Sequence, residues 1–222
     1  MCDAGADKEK AGVNGCTPMH IACEIPRLEI TRLLCAAGAD KDKAMLHGRT
    51  PMHFACQSGH LEVIELLCDA GADKEKADES AWRPMHYASV NGHLEVARFL
   101  CAAGALKDNV DLDGRTPMHR ACEYGHLEVT RLLCDAGVDK DKAARNGSTS
   151  IHCACKHGHL HVVRLLCEAR ADIDKADNNG YTPMRIAGER GYWEVAELLY
   201  DARGIADTEN LTKRPNIYHG RP

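Results

Sequence analysis

The chain has 222 residues, of which 44% are hydrophobic, 27% charged and only 5% aromatic, a balance that supports a buried core and excludes wholesale disorder. Lys and Arg total 28 against 33 Asp and Glu, a formal charge of -5, so no global basic field exists to hold a nucleic-acid backbone. The longest run without charged or strongly polar side chains, Phe99 to Leu106, is eight residues, far below the ~20 of a membrane-spanning helix, and residues 1–10 carry Asp3, Asp7, Lys8, Glu9 and Lys10 rather than a secretory signal. The expected compartment is therefore cytoplasmic or nuclear.

Twelve cysteines in a short chain raise the question of a disulfide framework, but their spacing answers it differently. Cys2, Cys35, Cys68, Cys101, Cys134 and Cys167 recur every 33 residues, and Cys23, Cys56, Cys122 and Cys155 keep the same period with Ser89 in the missing slot. The segments Thr17-Pro18-Met19-His20, Thr50-Pro51-Met52-His53 and Thr116-Pro117-Met118-His119 follow that register, with weaker copies at Arg83, Thr149 and Thr182. The chain divides into a partial leading repeat (1–11), six units (12–44, 45–77, 78–110, 111–143, 144–176 and 177–209) and a tail, 210–222, expected to be flexible.

Within the unit 45–77, Thr50 suits a helix N-cap and Pro51 the first helical position, where a missing N–H costs nothing. Met52, Ala55 and Cys56 give this first helix a small apolar face, and Gly59 ends it after about two turns. Leu61, Ile64, Leu67 and Cys68 mark a second helix, with Glu62 near its positive end and Gly71 closing it. The charged loops that follow, such as Asp73-Lys74-Glu75-Lys76, read as a solvated, hairpin-like connection, so Glu75 is expected to matter little. Departures in chain order are Ile25-Pro26-Arg27 at the first interhelical turn, Ala81 for a turn glycine, Arg83 for the capping Thr, Arg170 and Arg203 for the closing glycine, and Arg185 for the motif histidine. Irregular turns are expected at the first three, and fraying in the last two units.

A unit this small cannot bury its faces alone, so stacking of neighbours is required and the fold class is an all-α solenoid. The pattern T-P-M-H-x-A, then G-H-L-E-V, then L-L-C-x-A-G-A-D resembles the ankyrin repeat family over residues 1–209. The resemblance implies stacked helix-turn-helix units joined by hairpin-like loops, a motif histidine bonded to its own cap and backbone, and a concave surface built from hairpin tips and first helices.

His20/Cys23, His53/Cys56, His119/Cys122 and His152/Cys155 are i, i+3 pairs that suit zinc by residue type. Helices of neighbouring units stack ~8–10 Å apart, which leaves each pair alone, so no metal, cofactor or disulfide is expected. The cysteines of both series are expected to be buried and slow to react, with Cys16 and Cys153, which fall outside the period, more exposed. No nucleotide, hydrolase or zincin motif is present and no catalytic pair emerges.

The positions that differ most between units lie in the loop before each Thr-Pro and on the outward side of the first helix. Among them Phe54, Trp82, Tyr87, Arg115, Arg120, Tyr124, Lys156 and His157 are the candidate partner-binding residues, because aromatic and arginine side chains most often anchor interfaces. The expected function is a non-enzymatic scaffold or adaptor binding a protein or peptide. A thiol- or zinc-responsive protein and the targeting segment of a larger enzyme or channel are the alternatives. Because only a partial repeat precedes the first unit, Leu28, Ile30, Leu33 and Leu34 are expected to be exposed there and to allow self-association.

Overall fold

The structure, a computed structural model, describes residues 7–212 and their side chains as far as residue 204. Its described residues form helices without strands, in six pairs: α1 (Pro18–Glu24) with α2 (Leu28–Ala36), α3 (Pro51–Ser58) with α4 (Leu61–Asp69), α5 (Pro84–Val90) with α6 (Leu94–Ala102), α7 (Pro117–Glu123) with α8 (Leu127–Asp135), α9 (Ser150–His157) with α10 (Leu160–Glu168), and α11 (Pro183–Glu189) with α12 (Trp193–Thr212). The first helices of successive pairs pack in one layer and the second helices in another. The core lies between the layers as a continuous row: Met19, Met52, Met85, Met118 and Ile151 from the first helices meet Leu34, Leu67, Leu100, Leu133, Leu166 and Leu199 from the second, all at or below 6% exposure.

The local signals act as their chemistry requires. Thr50 caps α3 in an extended conformation with Pro51 in the first turn, and Gly59 closes the helix with φ of 77°. The glycines at these closures serve packing as well as conformation. At Gly125 a Cβ would stand 2.6 Å from Nδ1 of His159, so the next unit's imidazole occupies the space that a side chain would fill.

Histidines tie each of the second to fifth units to both neighbours. His53 Nδ1 accepts the Thr50 N–H at 2.9 Å, while Nε2 donates to the Trp82 carbonyl of the following unit at 3.1 Å. His20, His86, His119 and His152 repeat this forward bridge to the carbonyls of Arg49, Arg115, Ser148 and Tyr181. A second series points backward: His60, His93, His126 and His159 bond through Nε2 to the carbonyls of Glu24, Gln57, Val90 and Glu123. The expected bond of the motif histidine to its own cap is present, and the inter-unit bond adds to it.

Two of the turns expected to be irregular keep the geometry of the others. Ala81 adopts φ of 59°, and its N–H bonds to Asp78 O at 2.9 Å, the same distance as at Gly114. The Asp78 carboxylate holds that turn from within by accepting the N–H groups of Ser80 and Trp82 at 2.8 Å. Arg83 lacks the Thr hydroxyl, yet its backbone N–H still reaches His86 Nδ1 at 3.1 Å. The turn at Ile25 does differ: Pro26 stands in the slot of Gly59 and cannot take positive φ, so α1 ends through Ile25 in an extended conformation.

The last two units are not uniformly frayed. Arg170 closes α10 with φ of 61°, whereas at Arg203 no left-handed residue stops the chain and α12 continues to Thr212, past the end of the sixth unit. The proposed leading repeat as far as residue 6, and the tail beyond residue 212, lie outside the described residues.

The first unit exposes part of its apolar surface. Ile30 and Leu33 are 47% and 48% exposed, but Leu34 is 6% exposed because it belongs to the core row, and Leu28 is half-buried. Lys8 and Glu9 bond to the first unit at Ala37 and Asp40.

Candidate partner-binding face

Hairpin tips and first helices form one face, and most of the candidate residues lie on it. Phe54 and Tyr87 flank the guanidinium of Arg49, whose Cζ is 4.0 Å from the Phe54 ring centre and 4.9 Å from that of Tyr87. Trp82 meets Tyr87 edge-on with ring centres 5.2 Å apart. Arg120 lies over the Trp82 ring, its Cζ 4.6 Å from the ring centre. A row of rings and guanidinium groups, Phe54, Arg49, Tyr87, Trp82 and Arg120, therefore runs from the second to the fourth unit, each cation held against a π face.

Carboxylates neutralise much of that ridge. Arg120 pairs with Asp111, and its other terminal nitrogen is 3.0 Å from Glu123, which also receives Arg115 at 3.0 Å. Asp111 is only 4% exposed. Burial opposes its charge, but the Arg115 backbone N–H and the Arg120 guanidinium outweigh it and hold the carboxyl below its ordinary range. Glu123 is lowered in the same way, with Arg115 and Arg120 overcoming the cost of burial. At Tyr87 burial raises the hydroxyl, and donation to Asp78 at 2.7 Å raises it further.

Tyr124 and His157 stand apart from this ridge. Tyr124 is 57% exposed and stacks on His126, with ring centres 6.4 Å apart and an interplanar angle of 9°. His157 stacks on His159 at 6.0 Å. Both sit where a first helix turns into a second. Lys156 is exposed and lines an open cleft in the fifth and sixth units. Asp111 and Asp78 were missed as members of the face, although their signal was present: an aspartate four residues before each of Arg115 and Trp82, where its carboxylate can accept the turn N–H groups.

Two expectations about thiols change. Cys153 is 7% exposed, not open, because it lies beneath Arg115 and Lys156, and burial pushes its thiol to about 11. The series Cys35, Cys68, Cys101, Cys134 and Cys167 is half-buried, while Cys23, Cys56, Cys122 and Cys155 are fully enclosed. Among the described residues no three His, Cys, Asp or Glu side chains converge as a metal site would need, and no helix is long and apolar enough to cross a membrane.

A sequence profile described as ankyrin repeats, three copies, matches residues 1–78, 74–144 and 134–210. The chain belongs to the ankyrin-repeat family. Comparison with curated proteins gives no match. Ankyrin repeats are generally protein–protein interaction modules and typically non-enzymatic.

Proposed function

We propose that this ankyrin array is a non-enzymatic scaffold or adaptor, cytoplasmic or nuclear, that binds a protein or peptide on the face carrying Phe54, Trp82, Tyr87, Arg115, Arg120, Tyr124, Lys156 and His157. One observation carries the reading: at positions where the units differ, the rings and guanidinium groups of Phe54, Arg49, Tyr87, Trp82 and Arg120 lie against one another across the second to fourth units. Repetition builds the stack, and difference is left to specify the partner. Tyr124, 57% exposed, is the most open of the Phe, Tyr and Trp side chains among these residues, and Trp82 marks the centre of the ridge. Capture of partners from an intracellular extract with the wild-type chain and with a Trp82→Ala, Tyr124→Ala double variant tests the reading. Loss of specific partners by a variant that keeps its helical signal supports it. Equal recovery overturns it.

Exposed Ile21, Ile30 and Leu33, at 51%, 47% and 48%, support a second reading, in which the first unit associates with another copy of the chain. Light scattering across concentration, with wild type and with Ile30→Lys, tests it: a strictly monomeric wild type removes this reading.

A further inference from the structure

We infer that the cleft between the fifth and sixth units is the anchoring site for an acidic side chain of an extended peptide, with a neighbouring apolar residue seated on Ile186 and Tyr181. This rests on the proposal that the array binds a protein or peptide, and it moves the anchor away from the Trp82 ridge.

The cleft exists because the fifth unit carries small residues where its neighbours carry large ones. Ser148 occupies the slot of Arg115 and Tyr181, and Cys153 the slot of Arg120 and Ile186. The result is an open depression of about 310 Å³ lined by Asn146, Ser148, Lys156, Tyr181, Ile186 and Arg190 among others. Its floor continues to Cys153 and the Arg115–Glu123 pair.

Charge distinguishes this cleft from the ridge. Arg115 and Arg120 are already engaged by Glu123 and Asp111, so they have little attraction left for an incoming anion. Lys156 and Arg190 are exposed, and among the described residues neither has a carboxylate partner. Of two carboxylates at the rim, Glu189 pairs with Arg185 at 2.9 Å, while Asp177 is held in place by the backbone N–H groups of Asn179 and Tyr181 at 2.9 Å and keeps its charge. Two unpaired cations, Lys156 and Arg190, thus outnumber the one unpaired carboxylate, so the cleft is net positive beside a small apolar floor. An acidic residue next to an apolar one matches both parts.

The probe is a phage-displayed library of random dodecapeptides selected against the full chain, followed by titration of the recovered peptides by fluorescence anisotropy. The expected result is enrichment of Asp or Glu beside Leu, Ile or Tyr. Affinity should fall about tenfold or more in Lys156→Glu, Arg190→Glu, weaken with salt, and survive in Glu65→Ala, on the exposed side of α4. Recovered peptides without acidic residues, or binding unchanged in the double charge reversal with helicity retained, overturn the inference. An empty selection also overturns it, while the extract capture with the wild-type chain independently decides whether the array binds proteins at all.

Discussion

His119 and Ser148 belong to successive units and are joined by one imidazole: Nδ1 accepts the Thr116 N–H at 3.1 Å while Nε2 donates to the Ser148 carbonyl at 3.2 Å. A backbone N–H can only donate, so Nδ1 must be the unprotonated nitrogen and the ring must be neutral. Protonation would place a proton against the Thr116 N–H.

Acid should therefore weaken the stack within a defined window. Burial lowers His53, His86 and His119 to about 4, and lowers His20 and His152 as well. A folded pKa below the unfolded value of about 6.5 means that the unfolded chain binds more protons between the two. Stability should be constant above about pH 6.5, fall as pH decreases toward 4, and fall by up to about tenfold in the folding constant per pH unit for each such histidine. Urea titrations at several pH values check this. His119→Gln should be less stable at neutral pH and show a shallower slope through the window.

Leu67 is 0% exposed between the two helical layers. Leu67→Ala should cost about 2–5 kcal/mol through lost burial and a residual cavity. Glu75 departs from the expectation of a solvated loop residue: its carboxylate accepts the Leu106 N–H at 2.9 Å and the Asn109 amide at 3.1 Å in the next unit. Glu75→Ala should cost about 1 kcal/mol, while Glu65→Ala, on the exposed side of α4, should stay within about 0.5 kcal/mol. Denaturant midpoints that failed to separate Leu67 from Glu65 would refute the core assignment.

Removing Arg120 should affect folding before binding. The side chain is 11% exposed and shared between Asp111 and Glu123. Arg120→Ala leaves Asp111 without its guanidinium partner and should cost about 1.5–3 kcal/mol. Lys156→Ala, on an exposed side chain, should change stability by less than about 0.5 kcal/mol. Thermal unfolding of the two variants checks the contrast, which also explains why Lys156 is the cleaner position for binding tests.

Thiol labelling should separate into two classes. Cys23, Cys56, Cys122, Cys153 and Cys155 are buried, with Cys23 pushed up to about 12 by the cost of burying its thiolate, whereas Cys16, Cys35, Cys68, Cys101, Cys134 and Cys167 are half-buried. Timed alkylation read by peptide mass spectrometry should show the second group reacting first and Cys56 and Cys122 last. Simultaneous labelling of both groups would contradict the packing.

The amino-acid sequence by itself determined the repeat, the starts of the first helices and the core. Those depend on signals within a few residues of each other: Thr50 beside Pro51, Gly59 after α3, and Leu61, Ile64 and Leu67 on one helical stripe. Only the tertiary structure decided which polar groups remain available to a partner. Whether Arg120 is spent on Asp111, whether Cys153 is covered, and whether Glu75 faces water or the next unit's backbone all depend on contacts between side chains that stacking brings together. Single-position spacing carries no information about such contacts, because the same residue type in the same slot has a different fate when its neighbour one period away changes. Ala81 shows the converse: a residue poorly suited to positive φ takes it because Asp78 and the adjoining units hold the turn. The cleft of the fifth unit arises in the same way, from small Ser148 and Cys153 standing between larger side chains of the units on either side.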